Sequence, residues 1–257
     1  MSIHATAVID KRAQIDNDVK IGAYTIIEGN VSIKSGTVIE PHVVIKGSTS
    51  IGNNNHLFQF SSIGEIPQDK KFHGEKSKLV IGDNNTIREY VTINRGTEDG
   101  TGETVIGNDN WLMAYIHIAH DCVVGNNTIF ANGASLAGHA LVDDYAILGG
   151  FTLVHQFCHI GSHAFCGMGS AISKDVPPYI MVNGNPAHPH GINFEGVKRK
   201  GFSKEAIKVL KDAYRIIYRS GITSEEAVER LKEFEGHQDE LGILQEFIVG
   251  SKRGIVR

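Results

Sequence analysis

The sequence predicts a mainly β fold: a parallel β-helix built of hexapeptide rungs and closed by a small α-helical domain. Three observations carry this. Aliphatic residues recur every six positions through most of the chain. Glycine is abundant where proline is scarce, 29 against 6, which suggests many turns of one kind. Beyond Pro178 the six-residue register stops, and helical spacing takes over from Phe202.

The first block of rungs reads Ile3, Ile9, Ile15, Ile21, Ile27, Ile33, Ile39, Ile45, Ile51, Leu57 and Ile63. A second reads Ile81, Ile87 and Ile93. The third runs Ile106, Leu112, Ile118, Val124, Phe130, Leu136, Val142, Leu148, Val154, Ile160, Cys166 and Ile172. Four residues after each, the side chain is mostly small or β-branched, as at Ala7, Thr25, Val43, Ser61, Cys122, Thr128, Ala146, Cys158 and Ala164. Such a register makes each rung a short strand, with the aliphatic residue pointing inward and the small one near a corner. Three rungs close a coil, so about 26 rungs make roughly nine coils. At about 4.8 Å per coil the prism is on the order of 40 Å long. Glycine and asparagine are expected to supply the unusual backbone angles of the corners. A β-sandwich would show period two instead.

The register breaks twice. Residues 64–80 carry charge and proline and no clean rung, and residues 94–105 overrun a single rung around Gly100 and Gly102. Excursions from a rigid scaffold are where binding residues tend to sit.

Ser203 opens a helix as N-cap, with Phe202 and Ile207 as a hydrophobic staple, and Ile207, Leu210, Tyr214 and Ile217 follow at helical spacing up to Gly221. Thr223 and Glu226 form a capping box for a second helix carrying Ala227, Val228, Leu231 and Phe234. A third, weaker pattern covers Leu241 to Val249. The expected division is a β-helix over 1–190 and a helical domain over 191–257 that covers the last coil, which would otherwise be an open edge.

Apolar residues make up 41% and aromatics 7%, so the core is expected to be aliphatic. A net charge of −4 argues against nucleic acid as the main partner. No apolar run reaches the length of a membrane span, and the first residues lack a signal-peptide pattern. Three cysteines do not make a disulfide framework, which points to the cytoplasm. Cys122, Cys158 and Cys166 occupy packing positions of the repeat.

Of the 13 histidines, His117, His120, His139, His155, His159 and His163 crowd the third block. Residues about 18 apart stack one coil above another. His120, Gly138 and Gln156 form one column, and Asp121, His139 and Phe157 the next. Aligning Ile93 under Ile118 puts Asn94 beside them. An imidazole with a neighbouring carboxylate suits a general base. Gly138 leaves room for substrate and a backbone N–H for an oxyanion. The same histidines read alternatively as zinc ligands, although His117 and His120, three apart on a strand, face opposite ways unless a corner intervenes. Any one of them reads equally as a solvated surface residue, but six within 47 residues read less so. The segment 196–220 is rich in Lys and Arg, either a solvated helix face or a docking surface for an acidic carrier and a nucleotide diphosphate.

These residues resemble a known family. His117-Ile-Ala-His120-Asp121-Cys122, Leu136-Ala-Gly-His139, Val154-His155-Gln156, Lys174-Asp-Val-Pro-Pro-Tyr179, Asn193-Phe-Glu195-Gly196 and the loop Gln68-Asp69-Lys70-Lys71 are similar to the acyl-carrier-protein–UDP-N-acetylglucosamine O-acyltransferases of lipid A biosynthesis. The resemblance covers essentially the whole chain.

It implies a left-handed β-helix that assembles as a cytoplasmic homotrimer with active sites between subunits. The implied reaction moves an (R)-3-hydroxyacyl chain from acyl carrier protein to the 3-hydroxyl of UDP-N-acetylglucosamine, the first step of lipid A biosynthesis. By the same resemblance His120 is the general base, Asp121 orients it, and the Gly138 amide stabilises the oxyanion. Gln68, Asp69, Lys71, His117, His139, His155 and Gln156 would hold sugar and acyl groups. Asn193, Glu195, Arg199 and Lys200 would meet the nucleotide. No metal or dissociable cofactor is implied, since the acyl-phosphopantetheine arm arrives on the carrier.

Three positions depart from the family pattern. Asn94 stands where many members carry histidine, and Lys200 where arginine is common, which holds phosphate more directionally. Met168 occupies the acyl-chain ruler position, where members that use longer chains have glycine. Two other activities remain compatible with the solenoid: acyl transfer to a UDP-sugar amine, and a metal-dependent hydratase of the carbonic anhydrase type.

Overall fold

The computed structural model describes residues 2–234 and 238–257. Among these, short strands line up in three sheets of 11, 9 and 8 strands, and every rung-to-rung pairing in the solenoid is parallel. Each rung predicted from the six-residue register is a strand that contains its aliphatic residue, from Ser2–Ile3 to Ala171–Ile172, and all but Ser62–Glu65 and Thr92–Asn94 end on it. The aliphatic residues point inward and form one continuous apolar cluster. The exceptions lie at the open first coil, where Ile3 is 40% exposed and Ile9 and Ile15 are only partly buried, because no coil covers them from below. Cys122, Cys158 and Cys166 are buried free thiols in this packing.

The corners follow the expectation in part: Gly36, Gly133 and Gly169 take left-handed conformations, at φ of 72°, 73° and 71°. Gly22 and Gly107, each following a rung aliphatic, do not take a left-handed conformation. They are required by close approach: a Cβ at Gly22 would lie 2.4 Å from the Pro41 nitrogen, and one at Gly107 2.5 Å from the Gly125 carbonyl oxygen. Asn54, Asn84 and Asn127 do supply positive φ at one corner. At another, the left-handed positions are held by Tyr24, His42, Phe60, Tyr90 and Tyr115, at φ of 58°, 61°, 64°, 58° and 65°. Their rings stack one per coil at centroid distances of 5.1, 5.2, 5.1 and 5.0 Å. A left-handed residue costs about 1–2 kcal/mol. A stacked aromatic pair returns about 0.5–1.5 kcal/mol, and the coil rise brings the rings to stacking distance.

The sheet register extends beyond Pro178. Ile180–Asn183 adds a further parallel strand on Phe165–Cys166, and His188–Ile192 pairs antiparallel with it. That last strand straddles residue 190, and the described residues beyond it form four helices: α1 (Phe194–Arg199), α2 (Lys204–Arg219), α3 (Ser224–Leu231) and α4 (Gln238–Gly250). Ser203 caps α2 by accepting from the Ala206 N–H, and Thr223 and Glu226 form the capping box of α3. Phe202 packs edge-on against His163 and Tyr179 of the solenoid. Val197, Ile207, Leu210 and Val256 join the solenoid core, so the helical domain seals its upper end.

Candidate active site

The site lies at one corner of the prism, where the chain leaves the nine-stranded sheet. Ile93, Ile118, Leu136 and Val154 are in register on successive coils, which stacks the residues that follow them. Asp121, His139 and Phe157 all take left-handed conformations there, at φ of 58°, 60° and 63°. The corner turns the chain between His117 and His120, so both imidazoles face one cleft, contrary to the strand geometry expected for a three-residue spacing.

His120 Nδ1 lies 2.7 Å from Asp121 Oδ2. An ionised carboxylate only accepts, so Nδ1 carries the proton and Nε2 presents its lone pair when the ring is neutral. The ring rests against Gly138: a Cβ on that residue would meet Nε2 at 2.7 Å. Gly138 therefore makes room for the imidazole itself. Among the described residues, no protein acceptor takes the Gly138 N–H.

The Asp121 side chain is fully buried. The second excursion of the chain covers it, with Thr97 N–H, Thr97 Oγ1 and Thr101 N–H donating to its oxygens at 3.1, 2.7 and 3.0 Å. Burial acts to raise the carboxyl pKa, but the hydrogen bonds from His120, Thr97 and Thr101 outweigh it and hold the group below its ordinary value. Thr97 and Thr101 were not singled out from sequence. The available signal was the register break immediately preceding the coil of His120.

His139 stands edge-on to His120 at 5.1 Å and stacks on Phe157 at 4.5 Å. Burial lowers its pKa, which favours a neutral ring. His117 is held by Thr92, Nδ1 to Oγ1 at 2.7 Å; burial, and then the nearby His120, lowers its pKa as well. The ligand atoms of His120, Asp121 and His139 all lie within 4.8 Å of one another. Asp121 Oδ2 in that group already accepts from His120 and Thr97.

The cleft is about 630 Å³ in volume. It is walled by His117, His120, Gly138, His139 and Gln156 from the coils and by Gln68, Asp69 and Lys71 from the first excursion. That loop turns tightly, with the Lys71 N–H donating to Asp69 Oδ1 at 2.9 Å. Asn94 sits beneath the loop and is buried; its Nδ2 donates to the Ile66 carbonyl at 3.0 Å. His155 is exposed at the edge and is not part of the cleft wall.

With this geometry the chain matches known proteins along its whole length. The family described as bacterial transferase hexapeptide (six repeats) matches residues 103–138, and the one described as UDP N-acetylglucosamine O-acyltransferase, domain 2, matches residues 175–256. An acyl-[acyl-carrier-protein]–UDP-N-acetylglucosamine O-acyltransferase from Thiobacillus denitrificans is 56% identical over 256 residues, covering 100% of this chain and 99% of that protein. The chain belongs to the acyl-[acyl-carrier-protein]–UDP-N-acetylglucosamine O-acyltransferase family. The solved UDP-N-acetylglucosamine O-acyltransferase of Moraxella catarrhalis superposes with a TM-score of 0.97 at 48% identity, covering 100% of both chains. That of Acinetobacter baumannii gives 0.96 at 49% identity over 99% of both. The solenoid is accordingly the left-handed parallel β-helix of this acyltransferase family.

Some residues that the acyltransferase resemblance assigns to substrate stand outside the cleft of a single chain. Asn193 caps α1, accepting from the Gly196 N–H at 3.1 Å, and its Nδ2 donates to the His163 carbonyl at 2.9 Å. Glu195, Arg199 and Lys200 are exposed on α1 and its C-cap, and Lys200 Nζ lies 4.2 Å from the centre of the Tyr145 ring. Met168 is 77% exposed, on the turn before Gly169. None of these residues walls the His120 cleft.

Proposed function

We propose that this acyltransferase moves an (R)-3-hydroxyacyl chain from acyl carrier protein to the 3-hydroxyl of UDP-N-acetylglucosamine, the first committed acylation of lipid A assembly. The names of full-length relatives support the substrate pair. The observation that carries the mechanism is the His120–Asp121 pair lying against Gly138.

His120 Nε2 takes the proton of the sugar hydroxyl as its oxygen attacks the thioester carbonyl. Asp121, fixed and ionised, stabilises the resulting imidazolium. The Gly138 N–H donates to the oxyanion of the tetrahedral intermediate, a contact worth about 2.7–4 kcal/mol in comparable sites. Collapse breaks the C–S bond, and the imidazolium returns its proton to the departing pantetheine thiolate. Gln68, Asp69, Lys71, His117, His139 and Gln156 bind and orient sugar and acyl groups, and His155 meets them from the edge of the cleft. Asn193, Glu195, Arg199 and Lys200 receive the nucleotide.

The separation of α1 and Met168 from the cleft supports a homotrimer, in which a neighbouring chain completes each site. The chemistry needs no dissociable cofactor or metal. A hydratase-type site would need His120, His139 and His117 to converge on one ion; among the described residues the ligand atoms that gather within 4.8 Å are instead those of His120, Asp121 and His139, and Asp121 Oδ2 already accepts from His120 and Thr97. Among the described residues no helix is long and apolar enough to cross a membrane. We place the enzyme in the cytoplasm by its resemblance to the family, with no nucleic-acid partner. Lys211, Tyr214, Arg215 and Arg219 line a cleft on the helical domain; its charge suits an acidic carrier protein.

Purified enzyme with 3-hydroxyacyl carrier protein and UDP-N-acetylglucosamine yields the 3-O-acyl sugar nucleotide by mass spectrometry. His120→Ala loses about 10²–10⁴ in rate while retaining its fold. Retention of more than about a tenth of activity removes His120 as the base. Acylation only of a UDP-sugar amine identifies the N-acyl alternative, and activity lost on chelation and restored by zinc identifies the metal reading.

A further inference from the structure

We propose that Thr97 is a positioning residue for transfer, acting through Asp121 on His120. The inference rests on His120 being the base. Asp121 Oδ2 receives two hydrogen bonds of 2.7 Å, one from His120 Nδ1 and one from the Thr97 hydroxyl. The atom that fixes the imidazole is thus itself fixed from its other side. The Thr97 and Thr101 N–H groups hold the carboxylate against rotation, and Thr97 Oγ1 sets the lateral position of Oδ2.

The loop making these contacts is tightly built. Gly102 and Gly100 N–H both donate to the Thr97 carbonyl, at 2.9 and 3.2 Å. The Gly96 N–H donates to the Lys78 carbonyl at 3.2 Å, which pins the neck of the loop to the scaffold. Gly100 passes so close that a Cβ there would lie 2.4 Å from the Asp121 carboxylate. Thr97 is 5% exposed and does not wall the substrate cleft, so any effect on transfer runs through Asp121. A buried carboxylate without these donors would lose compensation for its desolvation. It would relieve that loss by turning away from His120 or by taking a proton. Either change frees the imidazole from the orientation in which Nε2 faces the acceptor hydroxyl.

Thr97→Val keeps the shape of the side chain and removes the donor. Its kcat is expected to fall about tenfold, less than the roughly 10²–10⁴ that a general base contributes because the base itself remains, with KM for both substrates within about twofold. Thr97→Ser restores the hydroxyl and recovers most of the rate. In an Asp121→Asn background the same Thr97→Val change is expected to cost little more, because the two residues act as one unit. Thr97→Ala, which removes the same donor in a smaller side chain, decides the matter if Thr97→Val does not fold: it is expected to be as slow, and an alanine variant as fast as the serine one would overturn the proposal. An unchanged kcat in Thr97→Val, a serine variant as slow as the valine one, or full additivity with Asp121→Asn would overturn the proposal. His120→Ala, measured alongside, separates the two readings: if it keeps its activity, the assignment of the base fails. If only His120→Ala loses activity, Thr97 has no positioning role.

Discussion

A Cβ on Gly138 would lie 2.7 Å from Nε2 of His120, so the imidazole occupies its position only because residue 138 has no side chain. Gly138 has a conformation open to other residues and is absent from the left-handed positions. Gly138→Ala is therefore expected to fold, with Tm within a few degrees of the parent. It should lose about 10²–10³ in kcat, the scale of a displaced base or lost oxyanion donor. Steady-state kinetics beside thermal unfolding checks this, and near-normal kcat would show that His120 does not work from this position.

The junction between solenoid and helical domain should weaken in acid. His163 stacks on Tyr145 and Tyr179 and meets Phe202 edge-on. Burial, and then the charge of Lys200, pushes its pKa down from 6.5 to about 4. The unfolded chain binds this proton more readily, so the stability held with the ring neutral is fully present above pH 6.5. It is lost as pH falls from 6.5 through about 4. At about 1.4 kcal/mol per unit the loss is at most on the order of 3 kcal/mol. Thermal unfolding across that pH range tests this, and His163→Phe should flatten the dependence.

Reversing the charge of Arg215 and Arg219 is expected to raise the KM for acyl carrier protein and to weaken its salt dependence, because exposed attractions are screened over about 8–10 Å. Arg215 is paired with Asp212 at 2.6 Å, so Arg219 should give the larger single effect. The KM for the sugar nucleotide should barely move. Equal changes for both substrates would argue against carrier docking at this surface.

Met168 is expected to limit the length of the acyl chain. Its side chain is exposed in the single chain, and in the proposed homotrimer it would project into a groove between neighbouring solenoids. A buried methylene gains about 0.8 kcal/mol, whereas forcing one into filled space costs about 1–3 kcal/mol. Donors of about ten carbons should therefore be preferred over fourteen by about 10–100-fold in kcat/KM. Met168→Gly should shift the preference to longer chains. A preference for fourteen carbons in the unmodified enzyme would remove Met168 from this role.

The architecture was legible in the sequence because a coil repeats one demand: every rung must bury an aliphatic residue, so Ile21, Ile39, Leu57 and Ile87 recur in register however far apart they lie. The stacking of His120 under Gly138 and of Asp121 under His139 followed from the same period. The helical caps at Ser203 and Thr223 were legible for another reason, since their hydrogen bonds are local.

The excursions obey no such period, and only the tertiary structure decided where they go. Nothing in Thr97 or Thr101 announces a partner some 20 residues away. Their contact with Asp121 arises because an insertion on one coil folds over the corner of the next. Likewise, sequence could place glycine at the corners but not divide the labour there, with close approach demanding Gly22 and Gly107 while stacked rings hold Tyr24, His42 and Phe60 in left-handed conformations. A six-residue repeat determines what must be buried. Which exposed groups meet across coils depends on the path the irregular segments take over that regular frame.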